Sequence, residues 1–143
     1  MKRIFLLTMG AAALISVLAI AAFAWKASTA TTWDGYGWQA HESARVQATS
    51  SPGYLYVDAP YSSYGCGYRY SQARRDSDDY TMETALCRTG TPSVECCIKK
   101  TWYPSVGTSY YALAYQNRFT DVSCGPIQGW ITSTNDPCGV EGP

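Results

Sequence analysis

The chain has 143 residues, with eleven basic and eleven acidic side chains, one histidine, six cysteines, twelve tyrosines and five tryptophans. That length corresponds to about one domain, and a balanced charge gives no long-range field for capturing nucleic acid or an anionic lipid surface. Six cysteines in a chain this small point instead to an oxidising compartment and a cross-linked fold.

The N-terminus reads as a leader. Lys2 and Arg3 open it, Ile4 to Phe23 is uncharged and largely apolar, and Ala22-Phe23-Ala24 offers the small-x-small pattern of a signal-peptidase site. Residues 1–24 are therefore expected to be a signal peptide cleaved after Ala24, giving a secreted, extracellular or periplasmic protein with no membrane contact after cleavage. The competing reading is an uncleaved anchor, because the apolar run is about as long as a hydrocarbon core of roughly 30 Å requires. A second small-residue site ends at Ala30, so the mature chain starts at Trp25 or Thr31, and either start is expected to leave the same fold. Loss of Lys2 and Arg3 leaves nine basic against eleven acidic residues, a formal charge of −2.

Residues 25–43 read as a flexible, aromatic and glycine-rich entry segment, and 44–143 as a disulfide-stabilised β domain. The entry contains Trp33-Asp34-Gly35-Tyr36-Gly37-Trp38, three large rings in a glycine-interrupted stretch with no cysteine to hold them inward. Aromatic rings with polar tips suit contact with a sugar or another protein, so Trp33, Tyr36 and Trp38 are the candidate ligand-binding residues. The alternative is that this segment folds back as an edge strand and plugs the domain.

A first strand is expected over Ala44 to Thr49, broken by Ser50-Ser51-Pro52-Gly53, and a second over Tyr54 to Ala59, stopped by Pro60. Tyr64 to Ser71 follows. Its start, YGCGYRY, alternates so that Tyr64, Cys66, Tyr68 and Tyr70 share one face and Gly65, Gly67 and Arg69 the other. A disulfide partner for Cys66 has to lie on the tyrosine side, so that side is expected to face the core. The run QARRDSDD then reads as a solvated hairpin tip.

Tyr80 to Arg88 is read as a strand, although Met, Glu, Ala and Leu also favour helix. Val94 to Tyr103, Ser109 to Gln116, Phe119 to Cys124 and Gly129 to Ser133 complete the series, and Asn135 to Pro143 is turn chemistry. Short strands separated by turn signals, with no convincing amphipathic helix, predict an all-β fold: a small, disulfide-stapled antiparallel β-sandwich or open barrel.

Cys66, Cys87, Cys96, Cys97, Cys124 and Cys138 are expected to form three disulfides, because the paired spacings of a zinc site are absent. Adjacent residues of a strand point to opposite faces, so Cys96 and Cys97 should bond to different partners. The expected scheme gives Cys66 and Cys87 one each of that pair and joins Cys124 to Cys138.

Chemistry is sparsely signalled. His41 stands two residues from Ser43, too far along a strand for a hydrogen bond at about 6 to 7 Å between Cβ atoms, and no third group is marked out to orient it. Asp76-Ser77-Asp78-Asp79 resembles the start of a calcium loop, but Tyr80 and Thr81 occupy ligand and glycine positions and Cys87 that of the closing glutamate. No metal and no cofactor is therefore called for. The expected function is a secreted, non-enzymatic recognition module that contacts glycan or protein through exposed aromatic residues. The alternatives are a self-associating surface subunit that donates its N-terminal segment to the next copy, and a small secreted hydrolase.

Overall fold

The computed structural model describes residues 24–59, 66–88, 96–116 and 122–138. Residues 1–23 of the expected leader, 1–24, lie outside that set, as do the expected strand starts at Tyr64 and Val94 and the stretch 117–121. Among the described residues there are eleven strands: β1 (Lys26–Ala30), β2 (Thr32–Trp33), β3 (Trp38–Gln39), β4 (His41–Glu42), β5 (Val46–Gln47), β6 (Gly53–Ala59), β7 (Tyr68–Arg75), β8 (Thr81–Arg88), β9 (Cys96–Trp102), β10 (Ser109–Gln116) and β11 (Gln128–Thr132). Two antiparallel sheets face each other, with strand orders β1-β11-β6-β9 and β4-β10-β7-β8, while β5 joins the second sheet on β10. β2 and β3 form a separate hairpin. The expected all-β, disulfide-stapled antiparallel architecture is what the chain adopts, with two packed layers.

Alternation decides which side chains fill the space between the layers. Leu55, Val57 and Ala59 of β6, Ile131 of β11, Ala73 of β7, Ala85 of β8 and Tyr110, Ala112 and Ala114 of β10 are all buried in one cluster. Trp25 and Trp102 close one end of it, edge to face at 5.9 Å, and Tyr110 meets Trp102 in the same manner at 4.9 Å. They approach each other over bare backbone. A Cβ at Gly53 would sit 2.8 Å from Trp25 Cη2 and 2.9 Å from Trp102 Nε1, so any side chain there collides with two rigid rings.

Residues 25–43, expected as an entry arm, contribute four of the strands. β1 pairs with β11 along all five of its residues, and Trp25 and Ala27 are core residues. The two possible mature starts are therefore not equivalent. A chain beginning at Trp25 keeps β1 and its share of the core, whereas one beginning at Thr31 loses both.

Of the tyrosines in YGCGYRY, Tyr64 lies outside the described residues, and Tyr68 and Tyr70 do not face inward. Tyr68 is 49% exposed and Arg69 is 0% exposed. Gly67 explains the reversal, since its φ of +66° resets the alternation between Cys66 and the strand that starts at Tyr68. Cys66 is buried as expected, but the residues sharing the inner face of β7 are Arg69, Ser71 and Ala73. Arg69 lies opposite Gln116 of β10, itself buried and donating through Nε2 to Thr31 Oγ1 at 3.3 Å, so the guanidinium enters a polar end of the interior. Burial lowers its pKa. A second reset occurs in β8, where the register with β7 shifts between Ala73 and Arg74 and Met82 is turned against the core.

All six cysteines are bridged. Cys87 of β8 bonds Cys96 of β9, tying the two sheets together along one side, with Cα atoms 6.0 Å apart. Cys97, on the opposite face of β9, bonds Cys138 of the tail, and Cys66 bonds Cys124 at the end of a short 3₁₀ turn, Val122–Cys124. Cys96 and Cys97 do take different partners. The expected Cys124 to Cys138 link is corrected, as is the assignment of Cys66 to the adjacent pair. The tail does not stay near Cys124. It turns back across the outer face of the first sheet, where Tyr56 Oη donates to Asp136 O at 2.7 Å and Lys99 Nζ to Asn135 Oδ1 at 2.8 Å, and so reaches Cys97.

Candidate recognition surface

Trp33, Tyr36 and Trp38 are brought together by the β2–β3 hairpin, in which Thr32 pairs with Gln39 and Trp33 with Trp38. Asp34 builds the loop between them. Its backbone N–H donates to Gly37 O at 3.2 Å, and its Oδ1 accepts from the backbone N–H groups of Tyr36 and Gly37, both at 2.8 Å. Gln39 Nε2 donates to Asp34 Oδ2 at 2.9 Å. Those bonds, first the one from Tyr36 and then the one from Gly37, hold the Asp34 carboxyl below its usual range. Gly35 has a φ of +98° with open space around its missing side chain, so glycine is needed there for conformation and not for room.

The three rings do not make a flat platform. Trp33 and Trp38 stand at 62° to each other with centroids 5.6 Å apart, and Trp38 is only 8% exposed. Tyr36, by contrast, is 89% exposed at the tip. The tryptophans form the base of a finger that displays one phenol, with the backbone N–H groups of Tyr36 and Gly37 held by Asp34, which pre-orders the tip before any partner arrives.

His41 follows the hairpin in β4. Its Nε2 is hydrogen-bonded with Thr32 Oγ1 at 2.6 Å, while Ser43 Oγ donates to Ala44 O and accepts from Ala112 N–H, each at 2.8 Å. Imidazole and serine hydroxyl are therefore engaged separately, and Ser43 is buried. The pair does not assemble as nucleophile and base.

The acidic run closes the β7–β8 hairpin with each carboxylate engaged. Asp76 Oδ1 accepts from Arg45 Nε at 2.9 Å, Asp78 takes two bonds from Arg75 at 2.8 and 2.6 Å, and Asp79 Oδ1 accepts from Tyr111 Oη at 2.7 Å. Among the described residues, no three histidine, cysteine or acidic side chains gather as metal ligands. Arg45 also lies over the Tyr111 ring, 4.2 Å from its centroid, and is paired with Glu42 at 2.9 Å. This lid explains why Tyr111 is buried although β10 turns it to the outer face.

Burial above all, then the bond to Asp79, pushes the Tyr111 phenol from 10.0 up to about 12. A tyrosine in the unfolded chain loses its proton near pH 10. The stability held by the protonated phenol is thus complete below about pH 10 and is lost as pH rises toward about 12. Chemical denaturation across that window is expected to show stability falling with pH, and Tyr111→Phe is expected to flatten the fall; an unchanged slope in the variant would contradict this environment.

Tyr36 stands out in the sequence as an aromatic residue in a glycine-rich stretch, whereas the edge strand β1 does not. The stretch KASTA, which forms that edge, has no strong β-formers and no hydrophobic alternation to announce it. The fold and the hairpin define a class: a disulfide-bridged antiparallel β-sandwich with a projecting aromatic finger. No protein-family model, curated protein or solved structure matches the chain. Three disulfides fit a non-cytoplasmic protein, and no helix among the described residues is long and apolar enough to cross a membrane.

Proposed function

We propose that the chain is an exported, non-enzymatic recognition module, released by cleavage after Ala24, that contacts a glycan or protein partner through the Tyr36 finger. The observation that supports this best is the 89% exposure of Tyr36 on a turn fixed by Asp34. A large amphipathic ring with few rotatable bonds is the kind of residue that dominates binding energy when a partner's pocket covers it. The steep angle between Trp33 and Trp38 argues against stacking along a flat sugar chain, so a protein with a receiving pocket fits this tip better than an extended glycan. The near-neutral charge keeps nucleic acid out of consideration. The alternative of strand donation to a neighbouring copy requires β1 to leave the sheet it already completes in its own chain.

The test is a parallel screen of the exported protein and its Tyr36→Ser variant against arrayed glycans and arrayed extracellular proteins. Because the side chain is exposed, the variant is expected to keep its stability within about 0.5 kcal/mol. A partner bound by the parent is expected to lose about 30-fold or more in affinity, as for an interface hot spot of about 2 kcal/mol. The proposal is overturned if no arrayed glycan or protein binds the parent more tightly than the Tyr36→Ser variant.

A further inference from the structure

β1 forms one edge of the first sheet. Ser133 N–H donates to Trp25 O and Thr31 N–H to Ile127 O, both at 3.0 Å, so these residues turn their main-chain groups toward β11. Antiparallel pairing alternates, and Ala27 and Thr29 therefore do the same. Lys26, Ser28 and Ala30 turn theirs the other way, and no described residue pairs with that side of the strand. Lys26 and Ser28 are exposed and Ala30 partly so.

Unpaired edges invite other strands, and proteins usually blunt them. The other edges here are blunted. β4 and β5 are two residues each, β8 carries a register shift, and β9 presents Lys99 and Lys100 to solvent and is bridged to β8. β1 has neither proline nor bulge, and its only charge is Lys26 at its start.

Beside this edge is a half-open pocket of ≈ 220 Å³ lined by Ser28, Thr29 and Ala30 of β1 with Gln128 and Trp130 of β11. Trp130 makes a stiff wall because it stacks on Tyr56 at 4.8 Å and 5°. The volume is below the roughly 300 to 1,000 Å³ of sites that enclose a small-molecule ligand. It suits one side chain.

We infer that β1 is a strand-addition site, at which an extended segment of a partner protein pairs with the outward main-chain groups of Lys26, Ser28 and Ala30 and seats one medium-sized uncharged side chain against Trp130. The edge identifies the occupant as polypeptide, since only an extended backbone offers donors and acceptors in the matching alternation, and a pocket beside the added strand selects among sequences.

Panning the exported protein against a phage-displayed library of random peptides tests this. Enriched peptides are expected to shift the amide resonances of residues 26–30 and to slow hydrogen exchange at Lys26, Ser28 and Ala30. Ser28→Pro removes one outward N–H and none of the bonds to β11, so it is expected to fold and to weaken these peptides tenfold or more. Ala30→Leu, which fills the pocket and leaves the backbone intact, is expected to do likewise, whereas Tyr36→Ser is expected to bind them as the parent does. The inference is overturned if no peptide is enriched, if enriched peptides protect other residues, or if both β1 variants bind as well as the parent. A concentration-dependent dimer that Ser28→Pro dissolves would assign the edge to a second copy and overturn it equally.

Discussion

Starting the chain at Thr31 instead of Trp25 is expected to abolish cooperative unfolding. Residues 25–30 supply Trp25, 3% exposed, and Ala27, 7% exposed, to the core, and they cover the β11 edge. Replacing a buried tryptophan by alanine typically costs about 3 to 5 kcal/mol, against a total stability of about 5 to 15 kcal/mol for a domain. The shorter chain loses more than this. Trp102, Gly53 and Ile131 are left facing solvent, and the backbone bond from Ser133 to Trp25 goes with the strand. Thermal melts of chains beginning at Trp25 and at Thr31, with Trp25→Ala between them, should rank in that order. Equal midpoints for the first two would show that β1 is dispensable and that Ala30 is an acceptable processing site.

The second large effect is expected from the Cys66–Cys124 bridge. It closes a separation of 58 residues, against 9 for Cys87–Cys96 and 41 for Cys97–Cys138. In the chain-entropy account the stabilisation grows with loop length, to about 4 kcal/mol for the longest of these loops and about 3 kcal/mol for the shortest. Cys66 and Cys124 are also both 0% exposed, so their removal opens space in the interior. The Cys66→Ala/Cys124→Ala variant is therefore expected to lose more stability in urea than Cys87→Ala/Cys96→Ala. The reverse order would mean that joining the two sheets through β8 and β9 matters more than the length of chain enclosed.

The parts of the fold legible in the sequence are those where alternation runs uninterrupted. Tyr54 to Ala59 and Ser109 to Gln116 were read almost to the residue, since β6 and β10 each keep strict in-and-out order between clear turn signals. The errors have local physical causes. Gly67 at positive φ inverts the faces of the next strand, so a pattern counted across it assigns Tyr68, Tyr70 and Arg69 to the wrong sides. The register shift beside Ala73 likewise turns Met82 to the core side, away from the face that Thr84 and Leu86 share.

Pairing of the cysteines was legible only as far as the backbone constrains it. Opposite faces for Cys96 and Cys97 follow from strand geometry, but the partner of Cys97 depends on a tail whose path is set by Tyr56 and Lys99, far away in sequence. Of the candidate binding residues, Tyr36 is displayed, Trp33 is half-buried and Trp38 is packed away. Residue type and glycine spacing mark out the aromatic segment but not the hairpin it forms. They did not reveal that its two tryptophans would meet edge to face and leave a single ring at the tip.

The account stands on a sandwich fastened at three separate places, and a peptide map of the unreduced protein tests it most directly. Digestion followed by mass measurement should recover Cys66 with Cys124, and the peptides of Cys87 and Cys138 both joined to the one that carries Cys96 and Cys97, and no free thiol. Recovery of Cys124 joined to Cys138, or of Cys66 joined to Cys96 or Cys97, would contradict the packing of the tail on the outer face and the two-layer arrangement with it.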